Sequence, residues 1–186
     1  MKTTAAALLA TVLVAHAPAW CETQTTDEAA RVETLLERMT LEEKIGQLNQ
    51  YSNTFDITGP PADDRYGRAR LENIRKGLVG SMLNFAGAEE TRIAQQHAVE
   101  NSRLGIPMMF ALDVIHGYRT MFPIPLGEAA SWDLEAIERS ARVAATEAAA
   151  AGLHWTFAPM VDIARDARWG RIMEGAGEDP YLGSLV

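Results

Sequence analysis

The stretch IPMMFALD, residues 106–113, decides the fold of this chain. It is short, and it is apolar up to the aspartate at its end. An apolar run of this length is typical of a strand that is buried on both faces, as the strands of a parallel sheet are. The sequence therefore predicts a central strand that ends in a charged side chain.

The segments on both sides of this strand alternate between strand-like and helical patterns. Asp133 is predicted to cap the clearest helix, which is rich in alanine, and Gly152 is predicted to end it. The predicted order is strand 79–85, helix 88–103, strand 106–113, helix 133–152 and strand 153–159. This β-α-β-α-β alternation predicts an α/β fold with a parallel sheet and right-handed crossovers.

Helical patterns also precede the first predicted strand. Residues 25–40 place apolar side chains on one helical face, and residues 68–77 form another helical segment that ends in glycine. Between them, Thr40 and Glu43 have the spacing of a capping box, which predicts the start of a helix over residues 41–50.

Residues 1–19 have the pattern of a signal peptide. A short positive start is followed by an apolar run too short to span a bilayer, and then by small residues up to a cleavage point at Ala17 or Ala19. The alternatives are an ordinary N-terminal helix and a lipoprotein with its lipid on Cys21, although Trp20 is larger than the small residue that lipid attachment expects before the cysteine. The pattern predicts an exported protein, periplasmic or extracellular, that has no membrane association once this segment is removed.

Composition and charge argue against several classes of protein. The chain has 186 residues, of which 47% are hydrophobic and 23% charged, as in globular domains. Its net charge of -8 and lack of a basic run predict no nucleic-acid partner. The four histidines have no metal-binding spacing, so no metal site is predicted. Neither a G-x-S-x-G motif nor a nucleotide-binding glycine loop is present.

Long polar loops follow the second and third predicted strands, at the sheet edge where parallel α/β proteins bind ligands. Asp113 ends its strand, and its carboxylate can accept hydrogen bonds from sugar hydroxyls; the alternative is that it only ties down its own loop. Arg119 and Arg171 are candidate donors to the same ligand. The alternatives are a surface ion pair for Arg119 and a structural salt bridge for Arg171.

The other polar residues of these loops are predicted to be structural. His116, beside Gly117, is expected to stabilise a turn. The carboxylates of the second loop are too numerous to be all catalytic, and most are expected to hold the loop through its arginines. These carboxylates are Asp162, Asp166, Glu174, Glu178 and Asp179, and the arginines are Arg165, Arg168 and Arg171.

Three segments of the chain resemble glycoside hydrolase family 3, especially its exported bacterial β-glucosidases. They are MTLEEKIGQLNQ (39–50), RLGIPMMFALDVIHGYRTMFPIPLG (103–127) and HWTFAPMVDIARDARWGRIMEGAGEDPYLGS (154–184). The resemblance implies a (β/α)8-like catalytic barrel, usually followed by an α/β sandwich domain. It also implies release of terminal β-D-glucosyl residues from β-glucosides by a retaining mechanism that needs no cofactor.

The resemblance also implies roles for single residues. Asp113 in LDVIHG matches an aspartate that holds outer hydroxyls of the sugar, and Arg171 in WGR matches an arginine that contacts the same sugar. Arg119 matches an arginine that some members use. The nucleophilic aspartate and the acid/base are expected downstream, so no catalytic residue is assigned within this chain. Ala167 and Glu128 depart from the family, which favours proline and an apolar residue there.

We therefore expect residues 20–186 to be the N-terminal portion of a (β/α)8 (TIM-like) barrel that is incomplete in this chain, since such a barrel needs about 250 residues. The expected partner is a β-linked glucoside or oligosaccharide, and residues 1–186 alone are expected to be inactive. Two alternatives stay open. One is a non-catalytic sugar-binding or regulatory protein, and the other is a β-xylosidase or N-acetylglucosaminidase of the same family.

Overall fold

The computed structural model describes residues 20–52 and 64–186, so the predicted signal peptide lies outside the described residues. Helix α1 belongs to one compact unit and residues Thr40–Val186 form a second unit. The helices are α1 (Trp20–Arg38), α2 (Leu41–Gln47), α3 (Asp64–Arg75), α4 (Ala88–Asn101), α5 (Pro125–Ala130), α6 (Leu134–Ala150) and α7 (Pro180–Leu185), with a 3₁₀ helix at Ile172–Glu174. None of the helices within the described ranges is long and apolar enough to cross a membrane.

The described strands form one parallel sheet with the order β1-β2-β3-β4. They are β1 (Gln50–Ser52), β2 (Ser81–Leu83), β3 (Met109–Leu112) and β4 (Trp155–Thr156). Each strand pairs with the next one along the chain, and helices connect them, which is how a (β/α)8 barrel begins. The predicted α/β class and parallel sheet are confirmed.

The sequence prediction of three strands was incomplete, because β1 begins at Gln50, the last residue of the helix predicted over 41–50, and no strand was predicted there. Helix α2 ends at Gln47, and Gln50 already pairs with Ser81 of β2. The tight packing of α2 on β2 requires glycine: a Cβ at Gly80 would collide with the carbonyl oxygen of Gln47. A strand of three residues is too short to give a periodic pattern, so the sequence alone does not reveal β1.

The core of Thr40–Val186 surrounds β3. Phe110 and Ala111 are both fully buried, and consecutive strand residues face opposite sides of a sheet. The predicted burial of both faces is therefore confirmed at the centre of the strand, while Met109 at its start is exposed. The Phe110 ring lies 5.7 Å from the ring of Phe85 and 5.7 Å from that of His154.

Both predicted helix caps are confirmed. The Thr40 amide donates to Glu43 Oε2 at 2.8 Å, and the Glu43 amide donates to Thr40 Oγ1 at 3.2 Å, which completes the capping box. At the start of α6, Asp133 Oδ1 accepts a hydrogen bond from the Ala136 amide at 2.9 Å. These two caps fix where α2 and α6 begin.

The loop after β3 is shorter than the sequence predicted, because Pro125 begins a helix. A proline at the first position of a helix has no amide hydrogen that would go unpaired there, so it favours a start. Helix α5 ends at Ala130, and the Ser140 hydroxyl of α6 donates to Glu128 Oε1 at 2.6 Å. This contact gives Glu128 a hydrogen-bonding partner at a position where the family favours an apolar residue.

Candidate functional site

Asp113 follows the last residue of β3 and opens the β3 loop, defined here as residues 113–124. Its side chain is exposed. Within residues 20–52 and 64–186, its carboxylate makes no hydrogen bond or ion pair with another side chain. A carboxylate that tied down its own loop would show such a bond. The geometry instead leaves acceptor oxygens available at the carboxyl end of the central strand.

The β3 loop is folded by bonds between its own two arms. The Phe122 amide donates to the His116 carbonyl at 2.8 Å, and His116 Nδ1 lies 3.0 Å from the Phe122 carbonyl oxygen. Gly117 has a φ of 114°, and a Cβ there would collide with the Thr120 carbonyl. The predicted turn-stabilising role of His116 is confirmed.

The β4 loop, defined as residues 157–179, carries Arg171 and is also bonded to itself. Met160 and Gly175 form an isolated bridge, and the Ala164 amide donates to the Gly177 carbonyl at 3.1 Å. These backbone contacts hold together the two ends of the loop, and the charged residues 165–174 lie between them.

Arg171 pairs with a carboxylate three residues away. Its Nε lies 3.0 Å from both oxygens of Glu174, and its Nη2 also donates to Glu174. These hydrogen bonds raise the pKa of Arg171 and lower that of Glu174. The charges of Asp162 and Asp113 raise the pKa of Arg171 further, so these carboxylates lie within electrostatic range of the guanidinium.

The structure thus brings Asp113 and Arg171 to the same edge of the sheet, as the strand-end argument predicted. An unpaired carboxylate and a guanidinium fork near each other supply acceptors and donors to one polar ligand. The predicted salt-bridge alternative for Arg171 is also observed, since Glu174 holds it in this structure. The two interpretations are compatible, because a guanidinium has five donor hydrogens and Glu174 does not use them all.

Arg119 occupies a different position on the β3 loop. Its backbone amide donates to Glu147 Oε2 of α6 at 2.8 Å, and its side chain is exposed. In the described part of the chain, its guanidinium forms no ion pair with Asp113 and no hydrogen bond with another side chain. The structure therefore fixes the backbone of Arg119 without bringing its guanidinium into contact with the other two candidates.

The predicted structural role of the β4-loop charges holds for part of the set. Asp166 accepts hydrogen bonds from the Arg168 side chain and amide, which lower its pKa. Asp179 instead caps α7, where its Oδ1 accepts from the Tyr181 amide at 2.8 Å and from the Leu182 amide at 2.9 Å. Asp179 directly precedes the proline that begins the helix, and that sequence signal was available.

An apolar cavity of about 420 Å³ lies beside this site rather than within it. It is lined by alanines of α6, by Trp155 of β4 and by Val114 and His116 of the β3 loop. Neither Asp113 nor Arg171 lines it. The cavity is therefore a separate feature from the polar strand-end site.

No cluster of three or more metal-ligating side chains occurs in the described ranges.

The sequence analysis missed Glu147, which accepts three hydrogen bonds from Arg119 and Thr120 of the β3 loop. It lies within the alanine-rich helix α6 and resembles an ordinary surface glutamate, so nothing in the sequence marks it.

The comparisons with known proteins agree with the geometry. The model of "Glycosyl hydrolase family 3 N terminal domain" matches residues 40–185. The chain is 48% identical over 157 residues to "Periplasmic beta-glucosidase" of Salmonella typhimurium, covering 84% of this chain and 20% of that protein. It is 31% identical over 163 residues to "Putative beta-xylosidase" of Formosa agariphila, covering 82% of this chain and 22% of that protein.

Among solved structures, the β-glucosidase from Listeria innocua in complex with isofagomine superposes with a TM-score of 0.71 at 44% identity. The alignment covers 84% of this chain and 21% of that one. The chain therefore spans about a fifth of the length of each of these three relatives.

Proposed function

Because the chain belongs to glycoside hydrolase family 3, we propose that it is the N-terminal part of the catalytic barrel of a β-glucosidase. The longer protein would release terminal β-D-glucosyl residues from β-glucosides with retention of configuration. The observation that carries this proposal is the unpaired Asp113 carboxylate at the end of β3, within electrostatic range of Arg171.

The proposed division of labour follows from the chemistry of these groups. The Asp113 carboxylate accepts hydrogen bonds from two sugar hydroxyls, and charged acceptors make stronger bonds than neutral ones. Arg171 donates from the guanidinium hydrogens that Glu174 leaves unused, and Arg119 donates from the β3 loop. These three residues bind and orient the sugar ring, and none of them takes part in bond breaking.

In this proposal, the nucleophile and the acid/base lie in the part of the longer protein that follows these residues. A retaining mechanism requires two carboxyl groups about 5–5.5 Å apart, one that attacks the anomeric carbon and one that protonates the leaving oxygen. Hydrogen bonds from the sugar to Asp113 would strengthen as the ring distorts toward the transition state. Binding by the strand-end site would thereby also contribute to rate.

The proposal includes export of the protein and removal of residues 1–19. It is supported by the charge and hydropathy pattern of that segment and by the periplasmic name of the Salmonella relative. Residues 20–186 would then form the N-terminal portion of the catalytic barrel in the mature protein. N-terminal sequencing of the exported protein would test this boundary, with Ala17 or Ala19 as the expected cleavage point.

A β-xylosidase is the second candidate, because two relatives from Formosa agariphila carry that name. A β-xyloside lacks the hydroxymethyl group of glucose, and discrimination by one such group is worth about 1–3 kcal/mol in an apolar pocket. The alternative of a non-catalytic sugar-binding protein predicts affinity without turnover.

One assay separates these candidates. The full-length protein is incubated with 4-nitrophenyl β-D-glucoside and with the matching β-xyloside, and the anomer of the released sugar is followed by NMR. We expect faster release from the glucoside, with β-glucose as the first product. Preference for the xyloside would support the second candidate, and binding without release would support the non-catalytic alternative.

A further inference from the structure

A carboxylate on α6 holds the crest of the β3 loop, defined as residues 117–120, from a distant part of the sequence. Glu147 Oε2 accepts hydrogen bonds from the amides of Arg119 and Thr120, each at 2.8 Å. Its Oε1 accepts the Thr120 hydroxyl at 2.6 Å. These three donors lie 27 and 28 residues away from the acceptor along the chain.

The hydrogen bonds to the β3 loop stabilise the ionised form of the Glu147 carboxylate. The Thr120 hydroxyl, the Thr120 amide and the Arg119 amide lower the pKa of Glu147, in that order of effect, and the charge of the Arg119 guanidinium lowers it further. Charge-assisted bonds of this kind are shorter and stronger than neutral ones. Glu147 is therefore ionised in its bound geometry and satisfies two backbone amides that would otherwise need water or another acceptor.

The hydrogen bonds within the β3 loop do not join its crest to α6, as the bonds to Glu147 do. The contacts between His116 and Phe122 close the loop on itself, but they fix its arms only relative to each other. Glu147 joins the crest to α6, a helix of 17 residues whose buried face packs in the core. Tyr118 packs against the hydrophobic core from within the crest, and Glu147 adds hydrogen bonds that join the neighbouring amides of Arg119 and Thr120 to α6.

We propose that Glu147 is a positioning residue for substrate binding, which acts by fixing the backbone of Arg119. The inference rests on the proposed function, since it needs Arg119 to contact the sugar. An arginine side chain has many rotamers, and a fixed backbone reduces the number of positions its guanidinium can reach. Small displacements of a group that binds the substrate weaken binding and orientation. A side chain that fixes the position of Arg119 should therefore have a measurable effect on KM.

The test is a double-mutant cycle in the full-length protein, with kinetics on 4-nitrophenyl β-D-glucoside. We expect Glu147→Ala to raise KM roughly fivefold with kcat within about twofold, since the interaction acts on binding more than on chemistry. Alanine is the best helix former, so the substitution leaves α6 intact. In the Arg119→Ala background, the same substitution should change KM by less than about twofold, because residues that act as a unit are not additive.

A matched control is available on the same helix. Glu138 pairs with Arg142 on the exposed face of α6 and contacts no loop residue in the described part of the chain. Glu138→Ala removes the same side chain and should leave KM and kcat at their wild-type values. Hydrogen exchange gives a second readout: the Arg119 and Thr120 amides should exchange faster in Glu147→Ala and at the wild-type rate in Glu138→Ala.

Should Glu147→Ala fail to fold, Thr120→Val replaces it in the cycle. Valine keeps the shape of threonine and removes only the hydroxyl that donates to Glu147, so a smaller rise in KM is expected. Additive effects of the anchor and Arg119 substitutions, or unchanged amide exchange, would overturn the inference while leaving the proposed function standing. Absence of any hydrolysis by the wild-type protein would overturn the proposed function, and the role of Glu147 with it.

Discussion

The β3 and β4 loops lie at the same sheet edge but are held in opposite ways. Glu147 of α6 anchors the crest of the β3 loop, and Asp113, at the start of this loop, makes no hydrogen bond or ion pair with another side chain in the described part of the chain. The β4 loop pairs its charges within itself, as Arg168 with Asp166 and Arg171 with Glu174, over two and three residues. The anchored β3 loop presents the carboxylate of Asp113 at the strand end, and within the described residues Asp162 of the β4 loop also has no hydrogen-bond or ion-pair partner.

This difference shows how a polar site can stay available to a ligand. A carboxylate near an arginine tends to pair with it, and the pair then competes with the ligand. Here Glu174 occupies part of Arg171, so Asp113 can lie in the field of that arginine without forming an ion pair with it. The pairing inside the β4 loop therefore keeps the acceptor in the β3 loop open.

The largest expected effect comes from removing the unpaired acceptor. In the full-length protein, Asp113→Ala should lower kcat/KM by about a hundredfold or more, because each charged hydrogen bond contributes roughly 1.5–3 kcal/mol. Part of the loss should appear in kcat, since these bonds strengthen toward the transition state. Steady-state kinetics on an aryl β-glucoside give both parameters.

The matched control is Asp133, which caps α6. Asp133→Ala should cost about 0.5–2 kcal/mol of unfolding free energy and leave kcat/KM near the wild-type value. Both variants are assayed at a temperature at which both are folded. If Asp133→Ala lowered kcat/KM strongly and Asp113→Ala left it near the wild-type value, capping and binding would have been assigned to the wrong aspartates.

Glu43 is a second carboxylate that contacts a residue far away along the chain, and its substitution would show how much such a contact contributes to the free energy of unfolding. Arg103 Nε donates to Glu43 Oε1 at 2.9 Å, and this contact spans 60 residues. Hydrogen bonds from Arg103 and the Thr40 amide are the main causes that lower the pKa of Glu43 from 4.5 to about 2. Glu43→Gln should cost about 1.5–3 kcal/mol at neutral pH, measured by denaturant unfolding of the full-length protein.

The pH dependence of this effect has a definite sign. A carboxyl whose pKa is lower in the folded state stabilises that state above its unfolded pKa, and the contribution is lost as the carboxyl is protonated. The advantage of wild type over Glu43→Gln should therefore be full above pH 4.5 and shrink as the pH falls toward about 2. An advantage that is independent of pH would show that the charge of Glu43 is not the source of the stabilisation.

A smaller loss is expected from changing the shape of the paired arginine. Arg171→Lys keeps the charge but removes the planar fork that bonds both oxygens of Glu174. We expect kcat/KM to fall about tenfold, the equivalent of one charged hydrogen bond. An unchanged kcat/KM would mean that Arg171 serves only the structure of the β4 loop.

The smallest effect should come from an exposed local pair. Arg139 and Glu135 form an ion pair one turn apart on the exposed face of α6. Pairs of this kind contribute at most about 0.5 kcal/mol, so Glu135→Gln should leave the unfolding midpoint almost unchanged. A loss as large as that of Glu43→Gln would erase the contrast between local and long-range carboxylates.

The features that could be predicted from the sequence are local ones. The apolar run around Phe110, the capping box at Thr40 and the cap at Asp133 each depend on residues within a few positions. The turn stabilised by His116 is of the same kind. The position of Asp113 at a strand end followed from the alternation of strands and helices, because parallel strands end at one edge.

The features that were missed depend on contacts between distant residues. Strand β1 exists because α2 packs closely against the turn before β2, and its own three residues carry no strand pattern. In the sequence, Glu147 resembles any surface glutamate; only its contact with the β3 loop in the folded protein distinguishes it. Such pairings require the fold to be known first, so local patterns in a single sequence do not contain them.

A crystal structure of the full-length protein with glucose bound tests the central claim most directly. We expect both Asp113 carboxylate oxygens to accept hydrogen bonds from glucose hydroxyls, with Arg171 donating to the same ring while it stays paired with Glu174. Glucose bound at another edge of the sheet, or bound without contact to Asp113, would contradict the assignment of the strand-end site.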